Sequence, residues 1–298
     1  MRILLFGKNG QVGWELARTL APLGELVMLD YPEVDFAQPE SLAGRVGEAH
    51  PQVVVNAVAY TAVDKAEQEA GLARAINAQA PGELAEACRR LGAALIHYST
   101  DYVFDGQKGA PYVEEDAPHP LNVYGQTKLE GERAIAEAGG AWLVLRTSWV
   151  YSLRRDSFVT KVLQWSRSQS ELRVVSDQVG SPTWARMLAE ATALLLARAG
   201  EDPAGYLGQR RGVYHLAGEG AASRLEWARA VLEYDPRAEE QRVKEVLPGL
   251  TEEFPTPAQR PLFTALACGK FGRVFGLRLP GWRAALRMAI EERGGLWA

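Results

Sequence analysis

The chain opens Met-Arg-Ile-Leu-Leu-Phe-Gly-Lys-Asn-Gly-Gln-Val-Gly: an apolar run, then Gly7-x-x-Gly10-x-x-Gly13, then an amphipathic stretch. Glycines at this spacing between a strand and a helix permit a tight turn and let another molecule come close to the backbone. A helix that starts there offers unpaired N–H groups and the positive end of its dipole to an anion. The same rhythm continues downstream. Residues 2–6, 26–29, 53–56, 94–99 and 142–146 are short apolar runs of the kind buried on both faces of a parallel sheet. Between them, 12–20, 40–48, 72–90 and 123–137 carry helical periodicity. This alternation predicts an α/β fold, a doubly wound, Rossmann-like parallel sheet.

Beyond residue 150 the alternation loosens. Residues 158–168, 183–199, 225–232 and 281–292 read as helices, and 174–175, 213–216 and 243–246 as short strands. The Gly- and Pro-rich stretches 202–212 and 247–261 read as loops. Pro111, Pro118 and Pro120 make 101–119 a surface loop beside the carboxyl edge of the sheet. The expected organisation is a nucleotide-binding domain over 1–150 and a smaller α/β lobe over 151–298. That lobe would carry substrate specificity and interleave with the end of the sheet.

At 298 residues, 47% hydrophobic and 23% charged, the chain can bury a large core. A net charge of −4 gives no support to nucleic-acid or anionic-membrane binding, so any substrate phosphate has to be met by local cations. The longest apolar stretch, 189–199, falls well short of the roughly 20 residues of a membrane span and contains Glu190 and Arg198. Cys88 and Cys268 are too few for a disulfide framework or a zinc site. A cytoplasmic location is expected.

Tyr124 and Lys128 stand four residues apart in Tyr-Gly-Gln-Thr-Lys. On a helix that is roughly one turn, so phenol and ammonium share a face. At about 4 Å and an effective dielectric of about 20, the ammonium contributes on the order of 4 kcal/mol to the phenolate. The expectation is a tyrosine pKa lowered by up to roughly 3 units, and a phenol able to exchange a proton with a carbonyl oxygen near neutral pH. Together with the glycine turn this points to carbonyl or alcohol redox chemistry at a nicotinamide. Gly7, Gly10 and Gly13 would cradle the pyrophosphate. Asp30, closing the second strand, would accept hydrogen bonds from the adenosine ribose and disfavour the extra phosphate of NADPH, with Lys8 or Arg2 partly offsetting it. Asp35 and Phe36 would border the adenine, and 57–61 would line the pyrophosphate and nicotinamide ribose.

Ser99-Thr100-Asp101-Tyr102-Val103-Phe104-Asp105-Gly106 follows the fourth strand, where such a sheet exposes its carboxyl edge to ligand. With Asn56-Ala-Val-Ala-Tyr-Thr-Ala-Val-Asp64 upstream and Leu145-Arg-Thr-Ser-Trp-Val-Tyr151 downstream, it resembles the dTDP-4-dehydrorhamnose reductases, extended short-chain dehydrogenases that act on a nucleotide sugar. The likeness runs from residue 1 to about 185 and weakens afterwards. It implies that NADH or NADPH reduces the 4-keto group of dTDP-6-deoxy-L-lyxo-4-hexulose. By this resemblance Tyr124 is the proton donor, Lys128 its tuner and a ligand of the nicotinamide ribose, and Thr100 the hydroxyl that meets the reacting oxygen. Thr61, Val63, Asp101 and Trp149 match substrate contacts, and Gly10, Gln11, Val12, Asp30, Asp35, Phe36, Ala59, Tyr60 and Thr61 match cofactor contacts. Arg260 is a candidate for the substrate diphosphate. Phe263 and Thr264 replace the family's usual Asn-Ser, which leaves the exact sugar and nucleotide less constrained than the redox chemistry.

A sugar-nucleotide dehydratase needs a glutamate after Thr-Asp, and Tyr102 stands there instead. A reductase of another 4-keto nucleotide sugar, or a non-catalytic regulatory subunit on the same fold, remains open. The resemblance also implies, in some members, dimers bridged by magnesium between glutamates. Here Glu15 keeps the first of those positions while Arg186 and Arg283 take the others. The expectation is no metal, and any homodimer at that surface held by Glu15–arginine pairs.

Overall fold

The apolar runs of the first half are buried strands, and their order follows from the crossover helices between them. The computed structural model describes residues 1–295, with side chains to 292. β1 (Arg2–Phe6) leads through α1 (Gln11–Leu20) to β2 (Glu25–Leu29), and α2 (Leu42–Ala49) leads to β3 (Val53–Asn56). Two short helices, α3 (Val63–Ala66) and α4 (Ala70–Arg74), precede α5 (Ala80–Leu91) and β4 (Ala94–Thr100). α6 (Val123–Ala138) then returns the chain to β5 (Ala141–Thr147). The later part contains β6 (Val150–Tyr151), α7 (Phe158–Ser168), β7 (Glu171–Val175), β8 (Val179–Gly180) and β9 (Thr183–Trp184). It continues with α8 (Ala185–Ala199), α9 (Pro203–Gly208), β10 (Gly212–His215), β11 (Ala222–Ser223) and α10 (Arg224–Glu233). β12 (Glu245–Gly249), α11 (Gly269–Phe275) and α12 (Trp282–Gly295) close the described chain.

The main sheet is six-stranded and parallel, ordered β10-β5-β4-β3-β1-β2. Strand order reverses beside β1, which opens a crevice at the carboxyl ends of β1 and β3. One face carries Ile3, Leu5, Val55, Ile96 and Leu145 against α1 and α8. The other carries Leu4, Phe6, Val54, Leu95 and Val144 against α2, α5 and α6. A separate core joins Tyr151, Val162, Leu172, Trp184, Trp227 and Leu286 from the later elements. β10 comes from the second half of the chain yet pairs with β5 in the main sheet.

Several segments differ from expectation. Residues 202–212 hold α9, because Asp202 accepts the Gly205 N–H at 2.8 Å and Pro203 fits the first helical turn. Gly and Pro there mark a helix start. Residues 72–90 are interrupted by a π-helical turn, Ala75–Gln79, just before Pro81, whose ring cannot continue regular α-helical bonding. The 101–119 segment is anchored rather than superficial: Val103, Phe104 and Tyr112 are buried, and the last two stack at 4.1 Å. Within 247–261, β12 runs on to Gly249 and a 3-10 turn covers Thr251–Glu253. In 183–199 the first two residues pair with β6, so the helix begins at Ala185.

On the α6 face the sheet turns polar toward its carboxyl edge, at Asn56, His97, Ser99 and Arg146, all buried. Arg146 donates to both oxygens of Glu132 on α6, at 2.7 Å from Nη2 and 2.9 Å from Nε, and Ser99 Oγ donates to Glu132 at 2.5 Å. Removing one partner of such a pair leaves a buried charge alone. Glu132→Ala should therefore lose about 3–5 kcal/mol in urea unfolding, whereas Glu132→Leu with Arg146→Met should recover most of that loss. Equal losses in both variants would mean that the cost is not that of a stranded buried charge.

Candidate active site

The turn between β1 and α1 is built around absent side chains. Gly7 has φ +87°, and a Cβ on Gly13 would lie 1.8 Å from the Gly7 carbonyl oxygen, so α1 can approach β1 only with glycine there. Gly10 caps α1 without a side-chain hydrogen bond, leaving the first amides free. They border a cleft of about 610 Å³ lined by Gly10, Gln11 and Val12 at one end and by Thr100, Tyr124 and Lys128 at the other. Ala59, Thr61, Asp101 and Trp149 line it as well. Gln11 Oε1 is buried there without a hydrogen-bond partner, and an unpaired acceptor beside free amides fits a polar ligand such as a dinucleotide.

Other expected residues stand further off. Asp30 accepts the Asn9 and Tyr31 N–H groups, each at 2.8 Å, so its carboxylate braces the glycine turn at the end of β2. Lys8 is tied to Glu33 at 2.6 Å. Asp35 accepts the Ala37 N–H, and Phe36 packs edge-on against Phe6 at 5.4 Å. Tyr60 points its hydroxyl to Glu69, and its N–H donates to Asn77. Val63 begins α3, and its N–H donates to the Thr61 carbonyl. Arg260 forms a two-point pair with Asp64, 2.7 Å on each arm.

At the other end of the cleft, Thr100 closes β4 and its Oγ1 accepts the Tyr102 N–H at 3.1 Å. Asp101 is buried and accepts hydrogen bonds from Ser148 (2.8 Å), Thr264 (2.5 Å) and Thr100 (3.1 Å). Burial pushes its carboxyl up, with the three hydroxyls opposing that shift. Thr264, which departs from the family pattern, is therefore a direct ligand of Asp101. Tyr124 sits in the first turn of α6, whose start is fixed by the Gly125 N–H donating to Asn122 Oδ1 at 2.8 Å.

The expected lowering of the Tyr124 pKa does not occur. Burial raises it, and only the Thr100 hydroxyl opposes the rise. The cause is the direction of Lys128, whose Nζ lies 2.9 Å from His97 Nε2 and donates to the Tyr98 carbonyl at 2.7 Å. Burial brings Lys128 itself down to about 7, with Glu132 opposing, so little positive charge reaches the phenol.

Trp149 holds φ +46°, a conformation that costs a non-glycine residue free energy and clusters at ligand sites. It stacks on Trp227 at 5.6 Å, and a Cβ on Gly180 would lie 2.5 Å from its ring. Arg224 lies 3.6 Å above the Trp149 ring, and it and Arg260 are close enough to Tyr102 to act on it electrostatically. Arg224 went unnoticed in the sequence although it carries a signal. A cation opens α10 next to the Ser223–Glu226 capping box, against the helix dipole. At the opposite surface Arg186 pairs with Glu15 (3.3 Å) and Glu292 (2.5 Å) within one chain, while Arg283 lies 3.9 Å from Glu233.

The RmlD substrate binding domain family matches residues 1–294. The chain belongs to that family. It is 45% identical to the dTDP-4-dehydrorhamnose reductase of Burkholderia thailandensis over 296 residues, 98% of this chain and 99% of the relative. The solved dTDP-4-dehydrorhamnose reductase of Clostridium acetobutylicum superposes with a TM-score of 0.90 at 33% identity, covering 99% of this chain and 100% of that one. The Bacillus anthracis reductase in complex with NADP superposes with a TM-score of 0.86 at 32% identity, over 98% and 99%. Family membership thus extends through the C-terminal half, beyond the motifs that first suggested the likeness.

The position of Lys128 in this RmlD-family cleft has a pH consequence. Its folded-state value near 7 lies below the ordinary 10.5, so between these values the unfolded chain binds a proton that the folded chain does not. Stability contributed by this group is therefore full above the upper value and is lost as pH falls toward the lower one. In urea unfolding from pH ~7.5 to ~9.5, cofactor-free wild type should gain on Lys128→Met by up to about 1.4 kcal/mol per pH unit. Parallel stability curves would contradict this.

Proposed function

We propose that this chain reduces the 4-keto group of dTDP-6-deoxy-L-lyxo-4-hexulose to give dTDP-L-rhamnose, using NADH or NADPH. The observation that carries the reading is the meeting of Thr100, Tyr124 and Lys128 at one end of a cleft whose other end is the glycine turn. The curated names of relatives at 41–45% identity support the substrate. Gly10, Gln11 and Val12 would hold the pyrophosphate of the dinucleotide and Lys128 its nicotinamide ribose. When bound, the cofactor supplies a hydride to the sugar carbon.

The chain's own residues manage the oxygen. Tyr124 donates its phenolic proton to the oxygen at C4 as negative charge develops there, and the Thr100 hydroxyl, turning its hydrogen from Asp101, orients that oxygen by a hydrogen bond. A raised pKa suits this direction of reaction, because the phenol stays protonated until an alkoxide far more basic than itself draws the proton. Thr61, Val63, Tyr102 and Trp149 would flank the sugar. Arg260 already has Asp64, whereas Arg224 has no carboxylate partner among the described residues. Arg224 is therefore the better placed cation for the substrate diphosphate.

The Asp30 carboxylate beside the glycine turn, with Lys8 engaged by Glu33, favours NADH at least as strongly as NADPH. Loss of cofactor absorbance with the 4-keto nucleotide sugar tests both points, with kcat/KM compared for the two cofactors. Tyr124→Phe should lose about 10²–10⁴-fold in kcat with cofactor affinity nearly unchanged. Near-normal turnover in that variant would remove Tyr124 from the chemistry. A tenfold preference for NADPH, about 1.4 kcal/mol, would remove Asp30 as selector.

A further inference from the structure

Behind Lys128 lies a buried chain of polar groups that the proposed chemistry leaves unused. Asn56, His97 and Lys128 are each at most 1% exposed. Asn56 and His97 face each other across β3 and β4, in register. The Val58 N–H donates to Asn56 Oδ1 at 3.0 Å, and a backbone N–H can only donate, so this contact fixes the orientation of the amide. The Asn56 Nδ2 donor therefore faces His97 Nδ1, 3.0 Å away, which must accept. A neutral imidazole that accepts at Nδ1 carries its proton on Nε2. That proton points at Lys128 Nζ, 2.9 Å away. An ammonium has no lone pair to receive it, but an amine has one, and an amine still has an N–H to donate to the Tyr98 carbonyl at 2.7 Å. Every donor in the chain meets an acceptor only when Lys128 is uncharged.

We propose that Asn56 and His97 hold Lys128 as a neutral amine in the cofactor-free enzyme, and that loading the nicotinamide cofactor is coupled to uptake of one proton by Lys128. The coupling rests on the proposed role of Lys128 at the nicotinamide ribose; the polarity of the hydrogen-bond chain does not. The proton comes from solvent and goes to the Nζ lone pair, freed when the amine turns from His97 Nε2–H toward the cleft. The surroundings agree. On α6 the facing groups are Tyr124 and Glu132, and the Glu132 charge is taken up by Arg146 of β5 and Ser99 of β4. Desolvation lowers both Lys128 and His97, so neither charge is favoured in the empty site. His97 is a positioning residue here, acting through Lys128.

Two measurements test this. In ¹⁵N NMR of the cofactor-free protein near pH ~8, the His97 imidazole should be protonated at Nε2 and bare at Nδ1. A proton on Nδ1 overturns the proposal outright, even in an enzyme that reduces the 4-keto sugar normally, so failure here is separable from failure of the functional reading. Calorimetric titration with NAD in buffers of differing ionisation enthalpy, near pH ~8.5, should show uptake of about one proton. Uptake below about 0.3 proton also overturns it. Asn56→Asp exchanges one NH₂ for an oxygen, so His97 should donate from Nδ1, turn its Nε2 lone pair to Lys128 and keep the ammonium. The tautomer should reverse and proton uptake should fall below about 0.3; unchanged uptake in this variant contradicts the chain. Should Asn56→Asp fail to fold, the wild-type tautomer decides alone.

Discussion

The Glu132 carboxylate meets the Arg146 guanidinium in the interior, and Ser99 completes its shell. This contact fixes the rotation of α6 over β4 and β5. Tyr124, Lys128 and Glu132 follow at four-residue intervals, so they form one stripe on the helix. A rotation that satisfies Glu132 therefore also sets Lys128 against His97 and brings Tyr124 to the end of β4, beside Thr100. The other end of the stripe is fixed by Asn122, which caps α6, and by Gly125, where a Cβ would lie 2.1 Å from the Tyr102 carbonyl oxygen. Helix position, and hence the placement of the Tyr124 phenol, is held at both ends.

The sheet is built to receive that stripe. Along the α6 face its strands are apolar in their first half, with Leu4, Val54, Leu95 and Val144 in the core. Toward the carboxyl edge the same face changes to Asn56, His97, Ser99 and Arg146. Apolar burial stabilises one end of the sheet, and polar groups that find partners in one another, in the following loop and in α6 occupy the other. Trp149 lines the cleft and is backed by Trp227 on one side and Arg224 on its ring.

Much of this was legible in the sequence because two short-range patterns carried it. The strands at 2–6 and 53–56 and the helix at 158–168 have the bounds that periodicity and apolar runs predict, since burial on both faces leaves little freedom in composition. The pairing of Tyr124 with Lys128 was legible from motif spacing, and Thr100 only from the family resemblance; all three line the cleft. The sign of the Tyr124 pKa shift was not, because it depends on where the Lys128 amine points, and that is decided by His97 on another strand. Arg224 and Thr264 were equally hidden: they reach the site from distant segments, and only the long-range fold brings them to Tyr102 and Asp101. His97 did leave a trace, a lone imidazole inside the apolar run at 94–98, where a buried polar group needs partners. α9 was misread because Asp202-Pro203 is both a loop composition and a helix start.

If the chain reduces the sugar as proposed, Tyr124, Thr100 and the nicotinamide meet at one sugar carbon. Turnover of the 4-keto nucleotide sugar with cofactor deuterated at the transferable position of the nicotinamide tests it most directly, read by NMR and mass spectrometry of the product. A single deuterium at C4 of a dTDP-6-deoxyhexose is expected. Deuterium at another carbon, or no product from a protein that binds both cofactor and substrate, would contradict it.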